Sequence, residues 1–260
     1  MIEVSGPTPY AKRNVFAVRP ASAWRLLVDN FVVKHITKCT VAEAHHQLHN
    51  QTFALNVEEL EAFIAVMYAR GVTGKSDLSL HDIWTERWGV PLCKSAMSRN
   101  RFSKILRFLR FDVKSNRLQR LQTDKFALLS EVWNHFVSNC CTCYKPGAFI
   151  TIDEQLFPSK ARCPFTQFMA SKPAMFGQKC WLAVDKEGKY LINGFPYVGK
   201  DETRSANERV ADHVVMQLMR RYHSEGRNVT TDNYFTSVKL ATQLKEKQTS
   251  LLGTVNSKQN

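Results

Sequence analysis

Two acidic residues each close a short β-type run: Asp153, after Ala148-Phe149-Ile150-Thr151-Ile152, and Asp232, after Val229-Thr230-Thr231. A carboxylate on such a strand is costly to bury unless something positive meets it. Two strands lying side by side would carry both carboxylates to shared divalent metal. Cations bridged by carboxylates stabilise both the attacking and the leaving oxygen of a phosphodiester and help to deprotonate the nucleophile. The chemistry these residues point to is metal-assisted cutting and joining of a nucleic-acid backbone.

The elements that must position them follow from period and punctuation. The first run is apolar or β-branched at every position, as in a strand buried on both faces. It continues to about Gln155, and an irregular basic segment, residues 158–175, follows. Residues 179–184 and 189–195 flank Asp185-Lys186-Glu187-Gly188 and read as a hairpin. Then come a helix over residues 207–224, the Val229 strand, a helix over 237–247 and a strand over 250–254. This β-β-β-α-β-α-β order is that of an RNase H-like core. Its first and fourth strands lie side by side and parallel through a helical crossover, bringing Asp153 toward Asp232.

Upstream the pattern is helical from Ala21 to about Tyr144. Asn56 with Glu59 starts one helix, with Leu60, Phe63, Ile64 and Met67 at helix spacing and Gly71 stopping it. Ser98 caps a second, with Phe102, Ile105, Leu106 and Leu109 on one face. Leu129, Val132, Trp133 and Phe136 repeat the pattern until Pro146-Gly147 breaks it. The fold class is therefore α+β. Residues 1–18 read as a flexible tail, 19–146 as a helical domain, and 147–260 as an RNase H-like domain.

The chain has 260 residues, 44% of them hydrophobic, and a formal net charge of +13. A polyanion is the expected partner. Arg99, Arg101, Lys104, Arg107, Arg110, Lys114, Arg117 and Arg120 crowd one stretch in which Asp112 is the only acid. On the Ser98 helix they stand opposite the apolar stripe, the arrangement phosphate contacts require. Lys160, Arg162, Lys172 and Lys179 flank Asp153 and are expected to guide a strand to the metals.

There are seven cysteines. No secretory signal is seen and the longest apolar run, residues 62–69, is too short to span a bilayer. Neither a membrane nor a small-molecule substrate is expected, and reduced thiols fit nucleus or cytosol; the DNA reading places the protein in the nucleus. Cys140 and Cys143 form a C-x-x-C without a second pair at finger spacing, so no zinc is expected. His45, His46 and His49 read as a solvated helix face.

The strings Thr151-Ile152-Asp153-Glu154-Gln155, Arg162-Cys163-Pro164-Phe165 and Ser171-Lys172-Pro173-Ala174 resemble the piggyBac transposases and proteins derived from them. So do Tyr190-Leu191-Ile192-Asn193-Gly194, Thr230-Thr231-Asp232-Asn233-Tyr234-Phe235-Thr236-Ser237 and Leu252-Gly253-Thr254-Val255-Asn256-Ser257, with Met97-Ser98-Arg99-Asn100-Arg101-Phe102 upstream. The matches run in order over roughly residues 20–260, and a series is far more specific than one motif.

The resemblance implies an RNase H-like core in which three aspartates hold Mg²⁺ (or Mn²⁺), DNA as substrate, TTAA as target and a possible homodimer, with residues 19–146 as the DNA-binding and dimerisation domain and 147–260 as a partial catalytic domain. Asp153 matches the first family aspartate and Asp232 the second; both are the expected catalytic and metal-binding residues. The third aspartate and a Cys-rich zinc module belong downstream of Asn260. The expectation is thus a DNA-binding, transposase-derived fragment that is catalytically incomplete. The alternatives are an active transposase whose chain is cut short here, a domesticated scaffold for chromatin or protein, and a decayed gene product. Asp185, at the tip of the hairpin, and Asp201, in a solvated loop, are poor substitutes for a third ligand, and Glu154 points to the opposite strand face. Thr166 stands where the family has Arg and Met175 where it has Lys, which lowers the positive charge near the site.

Overall fold

The computed structural model describes residues 4–74, 77–159, 163–200 and 204–255. Two compact units result: Val28–His135, and Met1–Leu27 together with Phe136–Asn260.

The Val28–His135 unit is helical. Its helices Asn30–Leu48, Val57–Val72 and Arg99–Phe108 start at Asp29, Asn56 and Ser98. Each cap side chain accepts hydrogen bonds from first-turn amides, which have no partner within the helix. Their apolar faces meet in an aromatic core. Phe63 stacks on Phe102 at 4.7 Å between centroids, and Trp84 lies 5.1 Å from Phe102.

The Ser98 helix buries Phe102, Ile105 and Phe108, whereas Leu106 is exposed. The expected stripe is thus rotated by a fraction of a turn, because the helix ends at Phe108 and Leu109 lies beyond it. His45 gives its ring nitrogen to the Phe53 carbonyl at 2.8 Å, so of the three histidines only His46 and His49 face solvent.

In the other unit, Gly6–Pro7 (β1) pairs antiparallel with Tyr144–Lys145 (β2). The main sheet comprises Phe149–Pro158 (β3), Gln167–Phe168 (β4), Phe176–Asp185 (β5), Leu191–Pro196 (β6), Asn228–Thr231 (β7) and Ser250–Gly253 (β8). Across the sheet β3 lies between β5 (antiparallel) and β7 (parallel), and β8 is parallel to β7. The opposite edge of β5 is shared by β4 at one end and β6 at the other. Helices Val210–Met219 and Val238–Glu246 supply the crossovers between parallel strands. First and fourth strands of the sequence-derived core, β3 and β7, are therefore adjacent and parallel, as that order requires.

One face of the sheet is packed. Ile150, Ile152, Trp181, Ala183 and Val229 meet Val214, Val215 and Leu218 of one crossover helix and Leu240 and Leu244 of the other. The other face of β3 is more open: Thr151 is half-buried, and Phe149 and Asp153 are exposed. The run that reads as a strand buried on both faces is buried on one.

The N-terminal residues differ most from expectation. Rather than a loose tail, residues 4–27 belong to the sheet unit. Thr8 caps the helix Pro9–Asn14, accepting the Ala11 amide, and Pro9 sits where a missing N–H costs nothing. The Thr8 amide donates to the Cys143 carbonyl at 3.0 Å, its hydroxyl to the Thr142 carbonyl at 2.9 Å, and the Ser5 hydroxyl to Glu187. A helix this short carries no visible period, so only its cap and its Pro could have shown it.

Candidate functional site

The parallel register pairs Phe149 with Asn228, Ile150 with Val229 and Thr151 with Thr230. Asp153 and Asp232 each stand two residues beyond the last of these pairs. They stand at one level at the same end of adjacent strands, Asp153 within β3 and Asp232 just past the end of β7. Both are exposed.

Each carboxylate has one oxygen fixed by backbone. Asp153 Oδ1 accepts the Glu154 amide at 2.7 Å. Asp232 Oδ1 accepts the amides of Tyr234 at 3.1 Å and Phe235 at 3.4 Å, closing a turn on its own side chain. That turn is held in place. The Thr236 hydroxyl donates to the Asp232 carbonyl at 2.6 Å, and Thr231 and Thr236 hydroxyls meet at 2.9 Å. Gly253 of β8 packs here: a Cβ would lie 2.1 Å from the Thr236 hydroxyl, so only glycine fits. Ser237 caps the next helix and donates to Asp212, which also receives Arg209, whose second guanidinium nitrogen donates to the Tyr234 carbonyl. Asp212 and Arg209 fix the loop that carries Asp232; nothing in the local sequence marks them, because their partners are 25 positions away.

On the packed face of the same sheet stands an aromatic wall. Trp181 stacks parallel to Tyr234 at 6.0 Å, and Lys179 lies over the Trp181 ring with Nζ 3.9 Å from its centroid. Burial pushes the Lys179 ammonium below the usual lysine range and Lys172 adds to this; Glu154, Asp153 and Asp232 oppose it. Lys172 pairs with Glu154 at 3.4 Å. Glu154 sits opposite Trp181 in the register, on the packed face, whereas Asp153 sits opposite Leu182. Lys160, Arg162 and Asp201 lie outside the described residues.

Asp185 is not at the hairpin tip but at its base, fully buried. It accepts the Gly147 amide at 2.7 Å, the Gly188 amide at 2.6 Å and the Tyr144 hydroxyl at 3.0 Å. Its oxygens tie the hairpin to the start of β3, which leaves it unfit as a ligand of the Asp153–Asp232 pair. The remaining donor set, two exposed carboxylates with a free oxygen each, is of the hard-oxygen kind that suits Mg²⁺ or Mn²⁺. Among the described residues no group of three or more His, Cys, Asp or Glu forms a potential metal site. Cys140 is buried, and burial pushes its thiol up to about 12.

The basic run in the helical unit divides into two sets. Arg101 holds Glu59 in a two-pronged bond at 2.5 Å and also reaches the Ala54 carbonyl. The Glu59 carboxylate keeps its guanidinium charged beyond the ordinary arginine value. Arg110 pairs with buried Glu43 at 2.9 Å, and Arg117 grips buried Asp112 at 2.6 and 2.8 Å, with Arg120 at 4.0 Å. Arg99, Lys104, Arg107 and Lys114 are exposed. The expected basic face is thus half structural: Arg101 and Arg110, read as phosphate contacts, are instead spent on acids inside the unit.

The Glu43 pairing predicts a pH dependence. Burial alone would raise the Glu43 carboxyl, but the Gln47 bond and Arg110 outweigh it, and its value lies below the usual 4.5. A carboxyl depressed on folding stabilises the fold above its unfolded value and loses that contribution as pH falls through the folded one. The stability gap between wild type and Glu43→Gln, read from denaturant midpoints, is expected to be largest near neutrality and to shrink as pH falls below about 4.5. A gap that is flat from neutral to strongly acid pH would remove this role.

A family model described as transposase IS4 matches residues 19–260. A solved structure, a piggyBac transposase synaptic complex with hairpin DNA, superposes with a TM-score of 0.89 at 31% sequence identity. The match covers 98% of this chain and 54% of that one, so this chain spans about half the length of the transposase it resembles. The fold agrees with that likeness, and the chain belongs to the transposase IS4 family, of piggyBac type.

Proposed function

We infer that the chain is a DNA-binding protein of transposase type whose Asp153 and Asp232 seat a divalent cation at a phosphodiester. The observation that carries this reading is the convergence of the two carboxylates at one end of β3 and β7, each with an oxygen turned free by a backbone amide. When bound, Mg²⁺ or Mn²⁺ would supply charge stabilisation at the phosphate oxygens. The residues of the chain do the rest. Asp153 and Asp232 hold the site, and the Asp232 turn fixes its level. That the related solved transposase is a complex with DNA supports a DNA partner here. A homodimer and a nuclear location are parts of the same proposal.

Arg99, Lys104, Arg107 and Lys114 are the phosphate contacts of the helical unit. Neutralising all four is expected to weaken duplex binding and to lower the slope of log affinity against log salt by roughly one per contact removed. Arg101→Gln, by contrast, should lower stability by detaching Glu59 and leave the salt slope unchanged. Equal binding by wild type and the quadruple variant across a salt series would show these residues to be an ordinary solvated face.

A further inference from the structure

The N-terminal segment of the sheet unit is docked through β1, Thr8 and the buried Ala11. Beyond that point every residue from Lys12 to Ala21 is exposed. The run includes large apolar side chains: Val18 is 89% exposed, Phe16 54% and Val15 39%. Open apolar residues scattered singly are ordinary, but three within four positions form a patch.

The run is ordered from within. The Val15 amide donates to the Ala11 carbonyl at 3.0 Å, and the Asn14 side chain to the Tyr10 carbonyl at 2.8 Å. Phe16 and Arg19 face each other across a tight turn, and the Arg19 amide donates to the Phe16 carbonyl at 2.9 Å. The Ser22 hydroxyl closes the base: it accepts the Phe16 amide at 2.8 Å and donates to the Arg19 carbonyl at 2.7 Å. A knuckle held this way leaves little ordering to be done when a partner arrives.

Its charge is uncompensated. Residues 4–27 contain Lys12, Arg13, Arg19 and Arg25 and no acid. Among the described residues Lys12, Arg13 and Arg19 pair with no carboxylate. Arg101 and Arg110 differ in this, being held by Glu59 and Glu43.

We propose that residues 12–21 are a second contact for duplex DNA, in which Lys12, Arg13 and Arg19 take phosphates and the Phe16–Val18 tip lies in the groove between them. Cations on both sides of an apolar tip suit that surface: the cations neutralise backbone, and apolar side chains rest on the steps of a groove. A second copy of this chain is a poorer fit, since it brings the same knuckle and the same +13 charge. So is a membrane, where stable attachment takes a long amphipathic helix or an acyl chain. The proposal rests on the DNA reading above and adds a contact that Arg99, Lys104, Arg107 and Lys114 do not make.

The test uses the full chain, a blunt duplex across a salt series, and vesicles containing phosphatidylserine. Lys12→Gln with Arg13→Gln and Arg19→Gln is expected to lower the slope of log affinity against log salt by roughly 0.9 for each phosphate contact removed. Arg13→Lys with Arg19→Lys, which keeps the charge, should hold the wild-type slope. Phe16→Ser with Val18→Ser should weaken duplex binding by roughly tenfold and leave the slope unchanged. All five side chains are exposed, and guanidinium midpoints equal to wild type check that each variant folds. Wild-type duplex binding by either the charge or the tip variant overturns the contact and leaves the DNA reading intact. Vesicle binding that the charge variant loses while its duplex binding stays whole also overturns it and assigns the knuckle to lipid. If wild type binds no duplex at all, the proposed function fails and this contact with it.

Discussion

Asp153→Asn and Asp232→Asn are each expected to abolish metal-dependent cleavage of duplex DNA, a drop of at least about a thousandfold against wild type. On the proposed reading the two carboxylates share one cation, so either loss leaves it without its fixed place. Residues that act as a unit are not additive, and the double variant should be no worse than either single one. Nicking by the 260-residue chain should itself be slow. Asp185 is bound by three donors and Glu154 by Lys172 on the packed face, so these described acids are committed elsewhere. The assay is Mn²⁺-dependent nicking of a TTAA-bearing duplex, with binding of the same duplex measured alongside. Robust cleavage that survives either substitution would remove the pair from the chemistry.

The second large effect is on stability. Asp185→Ala is expected to cost roughly 3 kcal/mol, because it leaves the buried Gly147 amide, and with it the Gly188 amide and the Tyr144 hydroxyl, without their shared acceptor. Asp185→Asn keeps one acceptor oxygen and should cost about half as much. Guanidinium denaturation of the full chain reads both. A cost below about 1 kcal/mol for the alanine variant would mean that water or a neighbouring carbonyl replaces the carboxylate, and that the hairpin is not anchored there.

Much of this architecture is written locally. Pro146-Gly147 marks the change of period, Asp185 to Gly188 marks the hairpin, and the two Asp-ended runs lie where a parallel β3–β7 pair must place them. Each signal spans a few residues, which is why sequence alone carries it. The identity of the available cations is not local. Arg101 is committed by Glu59, Arg110 by Glu43, and neither acid is near its arginine in the chain. The stripe on the Ser98 helix misleads for a related reason: where a helix stops decides whether Phe108 or Leu106 and Leu109 fill the core, and that stop is set by packing. Trp181 reads as an ordinary strand residue until Tyr234 is brought against it from another segment, on the side where Lys179 of its own strand already lies.

The joining of residues 4–27 to residues 136–260 has a consequence in time. A chain leaves the ribosome from its N-terminus at about 5–20 residues per second, so β1 and the Thr8-capped helix emerge on the order of ten seconds before β2 exists to receive them. The Val28–His135 stretch, whose contacts are nearer in sequence, is free to fold in that interval. Closing the loop from β1 to β2 adds little entropy beyond that of a shorter loop, since the cost grows only with the logarithm of length. The N-terminal segment thus waits for β2, and a nascent chain caught before that moment would present β1 without its pairing strand.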